Sequence, residues 1–101
     1  MEFRIVFHVD EPEKWKTALA NLSHTVQAVD MAVSHIEVVA AGGAVRQYLS
    51  DAPEREVAEM RRLADAGVRF TACRHALSSF GIHPEQLLAF VQVVPSGILE
   101  L

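Results

Sequence analysis

The chain contains a single cysteine, Cys73, and the residues around it make it the first candidate for chemistry. Residues 68–72 form a short β-type run, and a helix-type run follows the cysteine. A thiol at such a junction meets the positive end of a helix dipole, and Arg74 comes next in the chain; both favour the thiolate over the thiol. The sequence therefore predicts a reactive thiol at position 73. The alternative is an inert cysteine that packs as a small buried hydrophobic residue.

Two histidines, His8 and His75, are predicted to lie near this cysteine, where an imidazole holds or moves a proton. Each also has an explanation without chemistry, His8 as an imidazole bonded to backbone at a strand end and His75 as a surface residue. A zinc site built from Cys73 and both imidazoles is not favoured, because residues 73 and 75 would point about 200° apart on a helix. No metal-binding CxxC or HxxxH spacing is present, and one cysteine allows no internal disulfide.

The elements that must position these residues follow from the hydrophobic spacing. Runs rich in β-branched and aromatic residues predict strands over residues 3–9, 34–40, 68–72 and 91–94. Helical spacing predicts a long first helix over about residues 12–29, opened by a capping box of Asp10 and Glu13. The remaining helical segments are predicted as a short helix after Gly43, a helix that stops at Gly67, a helix over 73–80 and a turn over 83–88.

The alternation of strands and helices predicts one α/β domain over residues 1–101, with a mainly parallel sheet. The strands are nearly continuous apolar runs, which favours helices on both faces of the sheet. Since the carboxyl ends of parallel strands share one edge, residues 8–10, 40–43, 73–75 and 95–97 are expected to converge there.

Several residues of this edge are candidates for binding rather than reaction. They are one cationic residue and the residues of two turns, where the backbone can approach a ligand closely: Arg74, Gly42, Gly43, Ser96 and Gly97. The glycine pair matches neither the phosphate-loop nor the dinucleotide-binding pattern. A turn that requires unusual backbone angles explains the pair without any ligand.

The composition and charge of the chain argue against nucleic-acid-binding and membrane proteins. A net charge of −4 argues against nucleic acid as a partner, because phosphate binding requires a basic surface. No run reaches the roughly 18 apolar residues of a membrane span, and the N-terminus has no signal-peptide pattern. We therefore expect a cytoplasmic protein that contacts neither membranes nor nucleic acids.

Four segments, residues 5–10, 36–42, 70–73 and 93–97, resemble in their order and spacing the small DsrE/DsrF-like proteins. The resemblance covers nearly the whole chain. It implies a three-layer α/β/α fold with a mainly parallel sheet of four to five strands, and homo-oligomers that are often trimers or hexamers. The characterised members of this family act in sulfur relay, and Cys73 matches the position of their carrier cysteine. Small members often carry Asn where this chain has Ala41 and His75.

The resemblance and the residues together suggest a sulfur carrier. In this hypothesis Cys73 accepts sulfane sulfur from a donor protein as a persulfide and passes it to an acceptor protein. His8 or His75 assists with a proton, and no metal or organic cofactor is required. A second hypothesis is a non-enzymatic oligomeric module that binds a ligand or partner, with Cys73 in a structural role. A thiol-dependent hydrolase is a third.

Overall fold

Four strands alternate with helices along the chain in the computed structural model, which describes residues 2–95. The strands are β1 (Arg4–Val9), β2 (His35–Ala40), β3 (Arg69–Cys73) and β4 (Val91–Val94). The α-helices are α1 (Trp15–Ala28), α2 (Glu54–Asp65) and α3 (Arg74–Ser79), and 3-10 helices span Pro12–Lys14, Gly42–Tyr48 and Pro84–Gln86. No helix within residues 2–95 is both long and apolar enough to cross a membrane.

The strands form one parallel sheet in which their spatial order equals their order in the chain. Arg4 of β1 pairs with His35 of β2, Glu37 of β2 with Arg69 of β3, and Phe70 of β3 with Val91 of β4. This arrangement confirms the predicted α/β class and the parallel sheet. It also brings the carboxyl ends of all four strands to one edge.

The helices of residues 2–95 pack on one face of the sheet. With strands in chain order, every right-handed crossover passes over the same side. The buried residues of the helices accordingly share one cluster with alternate residues of the strands: Ile36, Val38, Ala40, Phe70 and Ala72. We refer to this side as the helix face, and residues 2–95 supply helices to it alone, whereas the sequence favoured helices on both faces.

The opposite side, which we call the polar face, is crossed by a network of side chains centred on Arg69. Its guanidinium donates from Nη1 to Glu37 Oε1 at 2.8 Å and from Nε to Gln92 Oε1 at 2.7 Å. The three residues belong to β2, β3 and β4, so the network ties three neighbouring strands together. Thr71 and Val39 are buried in the middle of the same face.

Three aromatic rings fix the Gly42–Tyr48 helix between α1 and the sheet. The Trp15 and Tyr48 ring centroids lie 5.3 Å apart in an edge-on arrangement, and Tyr48 meets Phe70 of β3 at 6.3 Å. Trp15 Nε1 donates to Ala44 O at 2.8 Å, and the Tyr48 hydroxyl donates to Thr71 O at 3.0 Å. The indole N–H and the Tyr48 hydroxyl therefore both have hydrogen-bond partners inside the core. These contacts hold the Gly42–Tyr48 helix, which follows the carboxyl end of β2.

The predicted capping box at the first helix is wrong. Glu11 is extended (φ −132°, ψ 141°) because a residue before proline is disfavoured in the helical region, and it becomes the residue that precedes the first turn. Asp10 instead accepts a hydrogen bond from Lys14 Nζ at 2.9 Å. This hydrogen bond lowers the pKa of Asp10 and raises the pKa of Lys14.

Candidate functional site

Cys73 is the last residue of β3 and the residue that precedes α3, so the predicted strand-to-helix junction is confirmed. Its thiol is free, and only 7% of the residue is exposed. It lies beside Val94 of β4 and belongs to the same cluster as Ala76 and Leu77 of α3. The thiol thus sits at the carboxyl edge but beneath its surface.

Arg74 and His75 are the first two residues of α3, and both are exposed. The chain therefore places a guanidinium and an imidazole directly after the thiol while directing them toward solvent. Because solvent screens an exposed charge, the influence of Arg74 on Cys73 is weaker than a buried guanidinium would exert. The positions match the sequence prediction, and the exposure leaves both side chains accessible to a partner.

His8 lies at a distance from Cys73. The register aligns His8 of β1 with Val39 of β2 and Thr71 of β3, and Cys73 comes two residues further along β3. Two strand spacings amount to about 10 Å, and two residues along a strand to about 7 Å. The structure therefore does not bring His8 into contact with the thiol.

Gly42 and Gly43 lie close to three residues from other segments: Asp10, Pro12 and Phe80. Gly42 has a positive φ of +52°, and a Cβ there would lie 2.7 Å from Asp10 O. A Cβ on Gly43 would lie 3.3 Å from Pro12 Cδ and 3.8 Å from Phe80 Cζ. Steric need thus accounts for Gly42 without a bound anion, whereas a Cβ on Gly43 would require only a small shift of Pro12.

Gly42→Ala is expected to lower the free energy of unfolding by about 2 kcal/mol, since both the backbone angle and the contact with Asp10 O oppose a Cβ. Gly81→Ala is the matched control, because Gly81 has φ +66° but nothing within 4 Å of its Cβ position. It is expected to cost about 1 kcal/mol. Urea unfolding of both variants measures the difference, and equal losses would show that the Asp10 contact is harmless.

A cation–aromatic pair that sequence reasoning missed also lies at this edge. The Arg46 guanidinium carbon stands 4.7 Å above the Phe80 ring centroid, and the Phe80 residue is 39% exposed. The two are far apart in the chain, so no local pattern indicated their contact. Arg and aromatic residues are enriched where proteins bind partners, which makes this pair a candidate contact point.

Ser96 and Gly97 lie outside the described residues, so their predicted binding role stays a prediction. Among residues 2–95, no group of three or more His, Cys, Asp or Glu side chains is placed to hold a metal ion. A groove of about 760 Å³ opens between α1 and α2, lined by Pro12, Leu19, Pro53 and Arg55 among others, and it does not reach Cys73.

The chain is similar to a known protein family and to solved structures. The model of the DsrE/DsrF-like family matches residues 3–101. A solved structure of a protein of unknown function, MTH1491 from Methanobacterium thermoautotrophicum, is 30% identical with a TM-score of 0.86, covering 97% of this chain and 86% of that one. No curated protein matches the sequence.

Two more distant structures share the fold. The conserved protein of unknown function BT1422 from Bacteroides thetaiotaomicron has a TM-score of 0.68 at 16% identity, covering 98% of this chain and 83% of its own. The ychN protein from E. coli has a TM-score of 0.65 at 13% identity, covering 99% of this chain and 88% of its own.

Proposed function

The chain belongs to the DsrE/DsrF-like family, and on that premise we propose that Cys73 carries sulfane sulfur as a persulfide. The observation that supports this role most is the position of the chain's only thiol. It ends β3 at the carboxyl edge of a parallel sheet, where ligands of α/β proteins bind, and it matches the carrier position that the family resemblance implies.

The transfer is a thiol–persulfide exchange without net oxidation. The Cys73 thiolate attacks the outer sulfur of a donor persulfide R–S–SH, so that a new S–S bond forms at Sγ as the donor's S–S bond breaks. The donor leaves as the thiolate RS⁻. An acceptor thiolate then attacks the outer sulfur on Cys73, and Cys73 leaves as a thiolate. A base is needed only to remove the proton of the Cys73 thiol before the first step, and His75 suits this role better than His8, which lies two strands away.

Burial of the thiol sets a condition on this mechanism. With 7% of the residue exposed, a donor reaches Sγ only after the edge opens locally. α3 is six residues long, so its opening breaks few backbone hydrogen bonds. We therefore expect local opening of α3 to precede the exchange of sulfur.

Incubation with inorganic polysulfide is expected to add one sulfur atom to the native protein, as measured by intact-protein mass spectrometry. The added mass should map to Cys73, disappear on reduction with a dithiol, and be absent in Cys73→Ser. His75→Ala should reach the same final extent more slowly if this imidazole moves the proton. A free thiol that acquires no sulfur under these conditions would refute the carrier role.

One observation favours a second candidate, a non-enzymatic binding module in which Cys73 is structural. The thiol belongs to the core cluster together with Ala76 and Leu77, as a packed small residue does. Iodoacetamide separates the two functions. A carrier thiol is alkylated in the native protein, whereas a packed thiol is alkylated only when denaturant unfolds the chain.

A further inference from the structure

The last turn of α3 is closed by backbone hydrogen bonds that run back to its buried residues. Ala76 and Leu77 are buried in the cluster that also contains Cys73. Phe80 N donates to Ala76 O at 3.1 Å, and Ile82 N donates to Leu77 O at 2.9 Å. Phe80 is therefore tied to the part of α3 that shares a cluster with the thiol.

The Phe80 ring contacts a second element, the Gly42–Tyr48 helix. The guanidinium carbon of Arg46, which belongs to that helix, stands 4.7 Å from the ring centroid. A Cβ on Gly43 would lie 3.8 Å from Phe80 Cζ, so the ring also lies close to this glycine. Tyr48, at the other end of the same helix, is fully buried. The ring thus joins the end of α3 to a neighbouring element that is anchored in the core.

Arg46 differs from several other arginines in what its guanidinium contacts. Three arginines of residues 2–95 form ion pairs with carboxylates: Arg4, Arg62 and Arg69. Arg46 is not among them, so no carboxylate of this part of the chain competes with the Phe80 ring for its guanidinium. A guanidinium over an aromatic face is attracted by the negative face of the ring. This attraction draws Phe80, and with it the end of α3, toward the Gly42–Tyr48 helix.

We propose that the contact of Arg46 with Phe80, which we call the latch, sets how often α3 opens and thereby how often the Cys73 thiol can be reached. With the latch closed, only 7% of Cys73 is exposed. Loss of either partner leaves α3 with weaker contacts to the Gly42–Tyr48 helix, so the open form becomes more populated. As a control on sulfur uptake the latch rests on the proposed function, whereas its control of access to the thiol does not.

The direction of the effect separates a latch from a purely electrostatic role of Arg46. Positive charge near a thiol favours the thiolate, which is the form that reacts. If Arg46 acted on Cys73 through its charge alone, its removal would therefore slow alkylation of the thiol. If Arg46 holds α3 closed, its removal speeds alkylation, because the thiol is reached more often. The two roles predict changes of opposite sign.

The rate at which iodoacetamide alkylates Cys73 in the native protein measures this access. Arg46→Ala is expected to raise the rate about two- to fivefold, the range that an exposed cation–aromatic contact supplies. Phe80→Ala should raise it about tenfold, because the contacts of the ring with the Gly42–Tyr48 helix are lost as well. Arg46→Lys keeps the charge and should fall between the wild type and Arg46→Ala. Adding Arg46→Ala to Phe80→Ala should change the rate little further, since the two residues act through one contact.

The pair of Arg61 with Phe90 is the matched control. The Arg61 guanidinium carbon lies 6.0 Å from the Phe90 ring centroid. Phe90 precedes β4, at the end opposite Val94, which is the residue that pairs with Cys73. Phe90 also contacts Phe70 at 5.7 Å between ring centroids, so Phe90→Ala lowers the global stability. It therefore shows how much alkylation follows from unfolding of the whole chain, which urea unfolding of every variant measures separately.

The outcomes distinguish the latch from the carrier role. Unchanged or slower alkylation in Arg46→Ala and Phe80→Ala, or an equal rise in Phe90→Ala at the same loss of stability, would overturn the latch. Polysulfide treatment of the same variants, followed by mass spectrometry, tests the carrier role. Faster alkylation without uptake of sulfur would retain the latch and refute the carrier. Uptake of sulfur with alkylation at the wild-type rate would retain the carrier and refute the latch.

Discussion

Trp15→Ala is expected to lower the free energy of unfolding by about 3–5 kcal/mol, which approaches the total stability of many small domains. Trp15 is fully buried, and its ring contacts both Tyr48 and Phe70. Removing it leaves a large cavity between α1 and the sheet and deprives Ala44 O of its hydrogen bond. Urea unfolding followed by circular dichroism measures the loss.

Trp15→Phe is the matched variant, because it retains an aromatic ring and removes the indole N–H. Its expected cost is smaller, about 1–3 kcal/mol, and arises from the unpaired Ala44 carbonyl together with the smaller ring. The difference between the two variants separates packing from hydrogen bonding. A decrease of less than about 1 kcal/mol in the free energy of unfolding of Trp15→Ala would contradict the close packing of the indole against Tyr48 and Phe70.

Alkaline pH is expected to destabilise the fold mainly through the buried Tyr48. Burial, and secondly the Glu37 carboxylate, raises the pKa of Tyr48 well above its ordinary value of 10.0. The folded state therefore keeps the phenol proton where the unfolded chain has lost it. Stability is intact below pH 10 and falls above it, by at most about 1.4 kcal/mol per pH unit, until the phenol of the folded state ionises as well.

The chain contains one tyrosine, so phenolate absorbance reports on Tyr48 alone. Ionisation and loss of structure are expected to coincide in an alkaline titration of the native protein, whereas the urea-unfolded chain should ionise near pH 10. Tyr48→Phe lacks the ionisable group, so its free energy of unfolding should change less between pH 10 and pH 12. A native tyrosine that ionises near pH 10 with the fold intact would contradict the buried placement.

Most of the fold could be predicted because local chemistry and tertiary structure agree. β-branched runs became strands, and Gly67 and Gly81, which the sequence placed at helix ends, follow α2 and α3 with φ values of +110° and +66°. The capping box failed because Pro12 acts on the residue before it, an effect that outweighs the match of Asp10 and Glu13 to a pattern. The position of the helices of residues 2–95 on one face follows from strand order, which composition does not reveal.

The candidate site was less accessible to sequence reasoning. The strand-to-helix junction placed Cys73 correctly at the carboxyl edge, because strand ends can be located from periodicity. Its burial depends on packing in one cluster with Ala76 and Leu77, and the separation of His8 depends on β2 lying between β1 and β3. Both are consequences of pairing between distant segments, as is the stacking of Arg46 on Phe80.

The sequential order of the strands has a consequence for how the sheet is made. Each strand pairs with the one that precedes it, so a chain emerging from the ribosome can extend the sheet by one unit at a time, always onto an edge already formed. β4 arrives last and hides the edge of β3. β1, which is synthesised first, is therefore the strand on which the described part of the sheet is built.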